Sequence, residues 1–573
     1  MLLNPIDIAV LAFTLLSIVG YGTWKTRKND NLNDYLRGGN SMKWAGIGLS
    51  VMATQASAIT FLSTPGQAWE SGMGFIQNYL GMPLALIVVS AFFIPMYYKL
   101  KVYTAYEFLE SRFDLKTRLL GAILFLIQRG LAAGITIYAP AIILSTVLGW
   151  NLSLTILVVG ILVIIYTVSG GAKAVGVTQK HQMTVIMTGM AAAFWFLLDG
   201  MPETVGFTDA LHIGAALGKT DAVDLSFNLN ERYNVWSGLI GGLFLSLSYF
   251  GTDQSQVARY LTGTNIKASR VGMMFNAVLK IPMQFFILLT GVMVFVFYVF
   301  SPGPYYFKQA GLDQLATTEA GKNIVDGFDS QWKQLHAERE KASLTYLQAL
   351  ELADAALIEQ TKAELQQSET NVVELRKAVK QQLVIADEDY ETKDSDYVFI
   401  RFILEHLPTG FVGLLLAVMF SAAMSSTSSE LNALGSTSCV DIYHRLWKKE
   451  STDASKVLAG RFFTFLWGLI AIGFALYANL LENLIEAVNI LGSIFYGVIL
   501  GIFLVAFFFK KVAGNAVFLG TIISQSTVLI LFFTVDIGYL WFNAIGCFSV
   551  IIISSLIQLF SNNTPNALPV FDS

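Results

Sequence analysis

Between Ser421 and Ser429 the chain crowds in Ser421, Ser425, Ser426, Thr427, Ser428 and Ser429. An apolar run enters this stretch from Phe411, and a basic patch, His444 to Lys449, closes it. Written as a helix, Ala422, Ser425, Ser426 and Ser429 share one face, at i, i+3, i+4 and i+7. In lipid every hydroxyl needs a partner. A row of neutral oxygens is what a hard cation such as sodium takes as ligands. Small hydroxyl residues also let membrane helices pack closely and hydrogen-bond across. Taken alone, the stretch fits either role.

Three ionisable residues sit inside apolar runs, where such residues mark function by default. Arg129, in LIQRGLAAG, offers a planar, permanently charged fork suited to a carboxylate. Lys280, in NAVLKIPMQ, could bind solute, snorkel or pair structurally. Glu486, in ENLIEAVNILG, could pair with Arg129 or Lys280, bind hydroxyls, or stand solvated near the outer end of its run. The five histidines have no metal-ligand spacing, and Cys439 and Cys547 offer neither an exported disulfide nor a metal cluster. With no nucleophile motif and no nucleotide loop, an enzyme is not expected, nor is a nucleic-acid partner.

These residues must be held by membrane helices. Of 573 residues, 54% are hydrophobic and 14% charged, against ~25% charged in soluble proteins. Apolar runs of the ~20 residues needed to cross a bilayer recur. They predict 13 spans, at 5–24, 45–68, 74–98, 119–147, 152–171, 181–200, 234–255, 271–300, 398–443, 456–479, 483–509, 514–534 and 537–560. The first lacks a basic flank and a cleavage site, so it reads as a retained helix. More than half of the 37 basic residues fall in alternate loops, among them Lys99, Lys101, Lys267, Arg270, Lys448, Lys449, Lys510 and Lys511. Positive charge stays inside. The N-terminus is therefore expected outside and the C-terminus in the cytoplasm of a multi-pass plasma-membrane protein, such as one of a bacterial inner membrane.

Two spans carry internal breaks. The second holds Thr54, Gln55, Ser57, Thr60, Ser63 and Thr64 before Pro65-Gly66. The seventh holds Gly241-Gly242, Ser246, Ser248 and Gly251. Polar, interrupted spans five apart are what an inverted-repeat transporter has. Unwound carbonyls there can coordinate a cation, and the serine row lies on the eighth helix of the two halves.

Asp34-Tyr35-Leu36-Arg37-Gly38-Gly39, YTVSGGAKAVGVTQKHQ from Tyr166, TDQSQVARY from Thr252, and the serine helix ending in Val440-Asp441-Ile442-Tyr443 occur in order along the chain. Together they resemble the solute:sodium symporters. IYAPAIIL, from Ile137, is like the multivitamin and iodide branch, and SAITFLSTP, from Ser57, is like the sialic acid branch. The resemblance implies an all-α polytopic membrane protein with an inverted five-plus-five helix repeat, of LeuT-like type. It implies a sodium site at the carbonyls of Ala53, Ala56 and Ala422 and the hydroxyls of Ser425 and Ser426. A second ion site would use Ser428 and Ser429, but its acidic position is Gln179 here, so that site is expected to be lost and one sodium to move per cycle. The implied substrate-binding residues are Gln55, Ser57, Thr60, Tyr79, Arg129, Ser246, Tyr249, Lys280 and Glu486. Tyr79 stands where sugar-transporting relatives carry a glutamate. That weakens a sugar reading, while Arg129 favours an organic acid such as sialic acid.

The expected organisation is 1–301 for the N-terminal helix, first repeat and start of the second; 302–397 for an extracytoplasmic helical insertion; 398–509 for the rest of the second repeat; and 510–573 for two C-terminal helices and a tail. Residues 331–386 read as a helical hairpin or short coiled coil, solvated and a candidate surface for a protein partner. The expected activity is sodium-coupled import of a small organic solute across lipid. A sodium/sugar or inositol symporter is the alternative within the class, and a transporter-like sensor or receptor the alternative outside it. Only Phe560 to Ser573 follow the last span, so a signalling domain is not expected.

Overall fold

A computed structural model of the chain describes residues 3–25, 40–388, 390, 392–447, 452–477 and 483–561. The Asp34–Gly39 motif lies outside them, as do Lys448 and Lys449. The described residues are helical apart from loops and an isolated bridge between Met42 and Gly263. Among them, nine helices are long and apolar enough to cross a membrane, and three shorter ones are apolar: Pro5–Ser17, Leu152–Ile165 and Ser237–Gly251.

The spans are not all separated as the sequence suggests. Residues 152–199 are helical throughout. The first part packs on the Asp453–Tyr477 helix, where Gly160 lies against Ile472. The last part packs on the serine helix, where Gly189 lies against Leu415. Ala58–Ser71, by contrast, stops at Gly72 (φ 74°, ψ −160°), inside the gap expected at 68–74. A 3-10 stretch, Gly72–Tyr79, then leads into Met82–Val88.

The first break falls in the expected span. Trp44–Gln55 ends at Ala56 (φ −89°, ψ 75°) and Ala58–Ser71 begins after Ser57 (φ −80°, ψ 176°). The last carbonyls of the first half thereby lose the amides that would cap them in a continuous helix. The helix Ile266–Phe300 runs behind both halves as a splint. At Gly291 even a Cβ would lie 2.3 Å from the Pro65 carbonyl oxygen, so nothing larger than glycine lets the splint approach there.

The second break also falls in the expected span, directly after Gly251. Residues 237–251 are helical through Gly241-Gly242, with a π turn at Ser237–Gly241. The helix stops at Thr252-Asp253 and restarts as Gln254–Tyr260, with the Asp253 carboxylate accepting from the Ser255 amide at 2.8 Å. The glycines serve packing instead: a Cβ on Gly242 would meet the Asn78 carbonyl oxygen at 2.6 Å.

The serine helix, Phe411–Thr437, is buried along nearly its whole length. Its first turn is capped from a distance, by Asp7 Oδ1 accepting from the amides of Gly410 (2.6 Å) and Gly413 (2.9 Å). Glu319–Leu352 and Ala355–Ala386 form the hairpin, longer at its start than expected from sequence, and turned at Ala353 (φ 53°). Arg376 pins it, donating to both carboxylate oxygens of Asp394 at 2.9 Å and lying 4.5 Å over the Trp69 ring. The hairpin thus holds the far end of the first broken helix.

Candidate functional site

The serine helix meets the first broken helix through one buried amide. Gln179, fully buried, donates from Nε2 to Thr54 Oγ1 (3.0 Å) and to Ser425 Oγ (2.8 Å), and its Oε1 accepts from Ser50. Ala53, Ala56, Ala422, Ser425 and Ser426 are all buried around this junction. The Ser426 hydroxyl donates to the Ala422 carbonyl at 3.1 Å, and Ser428 and Ser429 donate to the Ser425 carbonyl at 3.0 and 2.9 Å. A hydroxyl that donates to a carbonyl keeps its lone pairs. The five residues implied as the sodium site therefore supply neutral oxygens only. Such a set suits a hard monovalent cation, which needs oxygen ligands and no charge match of two.

About one helical turn farther along, the serine helix meets the second broken helix through full charges. Arg129 NH1 donates to Glu430 Oε1 at 3.0 Å. Its NH2 donates to Asp253 and to the Tyr496 hydroxyl. Tyr496 donates in turn to Asp253 Oδ2 at 2.8 Å, and Thr136 donates to Glu430 Oε2 at 2.8 Å. Arg129, Asp253 and Glu430 are each over nine-tenths buried. Buried charges persist only when paired and hydrogen-bonded, and this cluster satisfies that condition with two carboxylates to one guanidinium.

A cavity of about 110 Å³ lies between the two junctions. Gln55, Ser57, Thr60, Tyr79, Arg129, Ser246 and Tyr249 line it, all expected from the sequence. So do Asn78, Thr136, Glu430, Asn489 and Tyr496, which were not. The missed group includes the charge partners. Glu430 could have been singled out as an acid inside an apolar run, and Asp253 as one beside a break. Nothing in the sequence joins either to Arg129, which lies far away along the chain.

Lys280 and Glu486 stand off the cavity wall. Lys280 lies behind Tyr79, its Nζ 5.5 Å from the ring centroid, with no hydrogen-bond partner among the described residues. Glu486 is 3% exposed, not solvated, and pairs with neither Arg129 nor Lys280. It accepts from Tyr233 (2.7 Å) and Gln67 (3.2 Å) and pairs with Arg232 (3.2 Å). Burial, with Tyr539 and Glu486 beside it, pushes the Tyr233 phenol well above its ordinary range and keeps it a donor.

A family model described as the sodium:solute symporter family matches residues 35–323 and 381–524. The human sodium/iodide cotransporter is 31% identical over 296 residues, 51% of this chain and 45% of that protein. A sodium/sialic acid symporter of Aliivibrio fischeri is 24% identical over 97% of this chain and 93% of its own length. A solved structure of a sodium-coupled sialic acid symporter, substrate-bound and outward-open, superposes with a TM-score of 0.73 at 24% identity, covering 98% of this chain and 99% of that one. That likeness fixes the fold: an all-α, multi-pass membrane architecture.

Proposed function

Because the chain belongs to the sodium:solute symporter family, whose members are transporters and not enzymes, we propose that it imports a small organic carboxylate with one sodium ion per cycle, by alternating access. The observation that carries this reading is the double junction on the serine helix. One face joins the first broken helix at a set of neutral oxygens, through Gln179, Thr54 and Ser425. The next joins the second broken helix at a charged cavity wall, through Arg129, Asp253 and Glu430. An ion bound at Ala53, Ala56, Ala422, Ser425 and Ser426 would tie the two helices beside the solute cavity, which couples ion to solute.

One sodium follows from Gln179. At the place of a second ion, its amide nitrogen points a donor at Ser425, and a donor opposes a cation. The hydroxyls of Ser428 and Ser429 are turned to a backbone carbonyl. The solute is read as a carboxylate because Arg129, a permanent cation with a planar fork, lines the cavity. The relatives named for iodide and sialic acid carry anions too. The cavity falls below the ~300–1,000 Å³ of drug-sized sites, which favours a smaller acid than sialic acid in this conformation.

The chain is read as lying in the plasma membrane with the N-terminus and the hairpin outside. Asp7 on Gly410 puts the starts of the first helix and the serine helix on one face. The membrane potential would add about 2.3 kcal/mol per charge per 100 mV to inward sodium movement. The test is uptake by proteoliposomes under an inward sodium gradient, with potassium as control. The expected result is sodium-dependent accumulation of an organic acid above equilibrium. Ser425→Ala is expected to raise the sodium concentration for half-maximal uptake at least about tenfold, about 1.4 kcal/mol. Uptake indifferent to sodium, or unchanged in Ser425→Ala, would overturn the coupling site.

A further inference from the structure

A second cavity, of about 500 Å³, lies across the helix Leu484–Phe508 from the solute cavity. That helix is the partition: Ile485, Val488 and Asn489 line the small cavity, whereas Ala487, Leu491 and Ile494 line the large one. Ile135, Phe474, Phe532 and Phe542 wall the large cavity from four further helices, so its body is apolar. Asn230, Arg232 and Asp536 line it too, and all three are exposed loop residues, which marks its mouth. Phe474, Ala487, Phe532 and Phe542 each lie within one turn of a helix end, so the mouth stands at the level of the membrane surface. Tyr477 and Phe533, at those ends, are exposed. Next to Phe542, Trp541 meets Phe227 edge-on at 6.4 Å, and Phe227 meets Trp236 at 6.1 Å. Such rings collect at membrane–water interfaces.

We propose that this cavity binds a phospholipid with a primary-ammonium headgroup: an acyl chain in the apolar body, the phosphate on Arg232 and the ammonium on Asp536. The body runs from Ala487 to Ile494 along the partition, about 10 Å at ~1.5 Å per residue, and is shaped for a chain entering from the surface. A tail alone gives no selectivity, because lipid tails are as apolar as the wall. The mouth supplies it. Arg232 pairs with Glu486 at 3.2 Å, yet its side chain is 45% exposed, so a phosphate can reach it from outside. Asp536 is exposed and has no hydrogen bond or ion pair among the described residues. With Glu486 counted, the mouth sets two carboxylates against one guanidinium. An anionic headgroup would add a like charge there, and a choline has no N–H to donate. A primary ammonium donates to Asp536 while its own phosphate meets the guanidinium, two charge-assisted contacts with no net charge added.

The test is native mass spectrometry of the full-length protein released from nanodiscs that hold phosphatidylethanolamine, phosphatidylcholine and phosphatidylglycerol with identical chains in equal amounts. The expected result is a retained lipid, with the ethanolamine form favoured about threefold over each of the others, the size of an interfacial ion pair. Asp536→Asn is expected to erase that preference while a lipid is still retained. Ala487→Phe, which fills the cavity from the partition, is expected to lose the lipid. Equal retention of the three headgroups, or a preference that survives Asp536→Asn, overturns the inference. So does lipid retention undiminished in Ala487→Phe, no retained lipid at all, or an adventitious additive only, in the form of detergent. The Asp536→Asn arm changes an exposed side chain and stands whether or not the filled variant folds.

Discussion

The two junctions of the serine helix solve the same problem with opposite chemistry. At Ser425 the joint is neutral: an amide, three hydroxyls and backbone carbonyls, with no formal charge. At Glu430, little more than one helical turn away, the joint is a guanidinium between two carboxylates. A neutral joint can be opened and closed around a single cation at small cost, because each hydrogen bond nets only ~1 kcal/mol. A charged joint cannot lose a member without stranding a buried ion. On the function proposed above, the neutral side would exchange an ion in each cycle, and the charged side would fix the geometry against which a solute is recognised.

The largest effect should come from breaking the charged joint. Arg129→Met is expected to cost about 3–5 kcal/mol, seen as a large fall in the thermal unfolding temperature in detergent and loss of uptake. Adding Asp253→Asn and Glu430→Gln to it should recover much of the stability and none of the uptake, since neighbours in one network are not additive. If Arg129→Met alone unfolds like the parent, the cluster is not the anchor described.

The neutral joint is tested by charging it. Gln179→Asp replaces an amide donor beside Ser425 with an anion, so a second cation should be admitted. The expected outcome is a Hill coefficient for sodium above one in uptake or binding, where the parent gives one. An unchanged coefficient would show that the amide is not what limits the ion count.

Lys280 sharpens the contrast, because its buried amine has no hydrogen-bond partner among the described residues. Lys280→Met is expected to raise stability by about 1–3 kcal/mol, since burying an unsatisfied polar group costs that much. A fall in melting temperature would mean that the amine has a role the structure leaves unused.

The smallest effect belongs to a charged joint that faces water. Arg445, first, and Arg118 hold the Glu110 carboxyl below its usual range against the opposing effect of burial. A folded-state value below the unfolded ~4.3 stabilises the protein above that pH, and the contribution fades as pH falls through the lowered folded value. The melting temperature of Glu110→Gln should therefore lie slightly below that of the parent at pH 7. The difference should shrink in acid, below about pH 4.

Much of this was legible in the chain. Composition and run lengths gave a membrane protein of helices, since lipid permits little else. The spacing of Ala422, Ser425, Ser426 and Ser429 placed one polar face on one helix, and the polar run Thr54 to Thr64 marked the first break. The second break was legible only to its span, for it falls just after Gly251, and Gly241 and Gly242 look like breakers too. Only the packed neighbours, Leu540 and Asn78, show them to be sites of close approach inside an unbroken helix. The hairpin could be read as helical from its leucines, but its attachment through Arg376, Asp394 and Trp69 could not.

The sequence by itself determined what depends on neighbours along the chain: helix, amphipathic face, span and the charge bias of the loops. All of these follow from periodicity within a few turns. Tertiary structure alone decided what depends on neighbours in space. Arg129 meets Asp253 and Glu430 from positions 124 and 301 residues away, Gln179 reaches Ser425 across 246, and Glu486 turns from both other candidates toward Tyr233 and Gln67. A buried charge must find a partner, but physics does not specify which one until the helices are packed and distance selects among them.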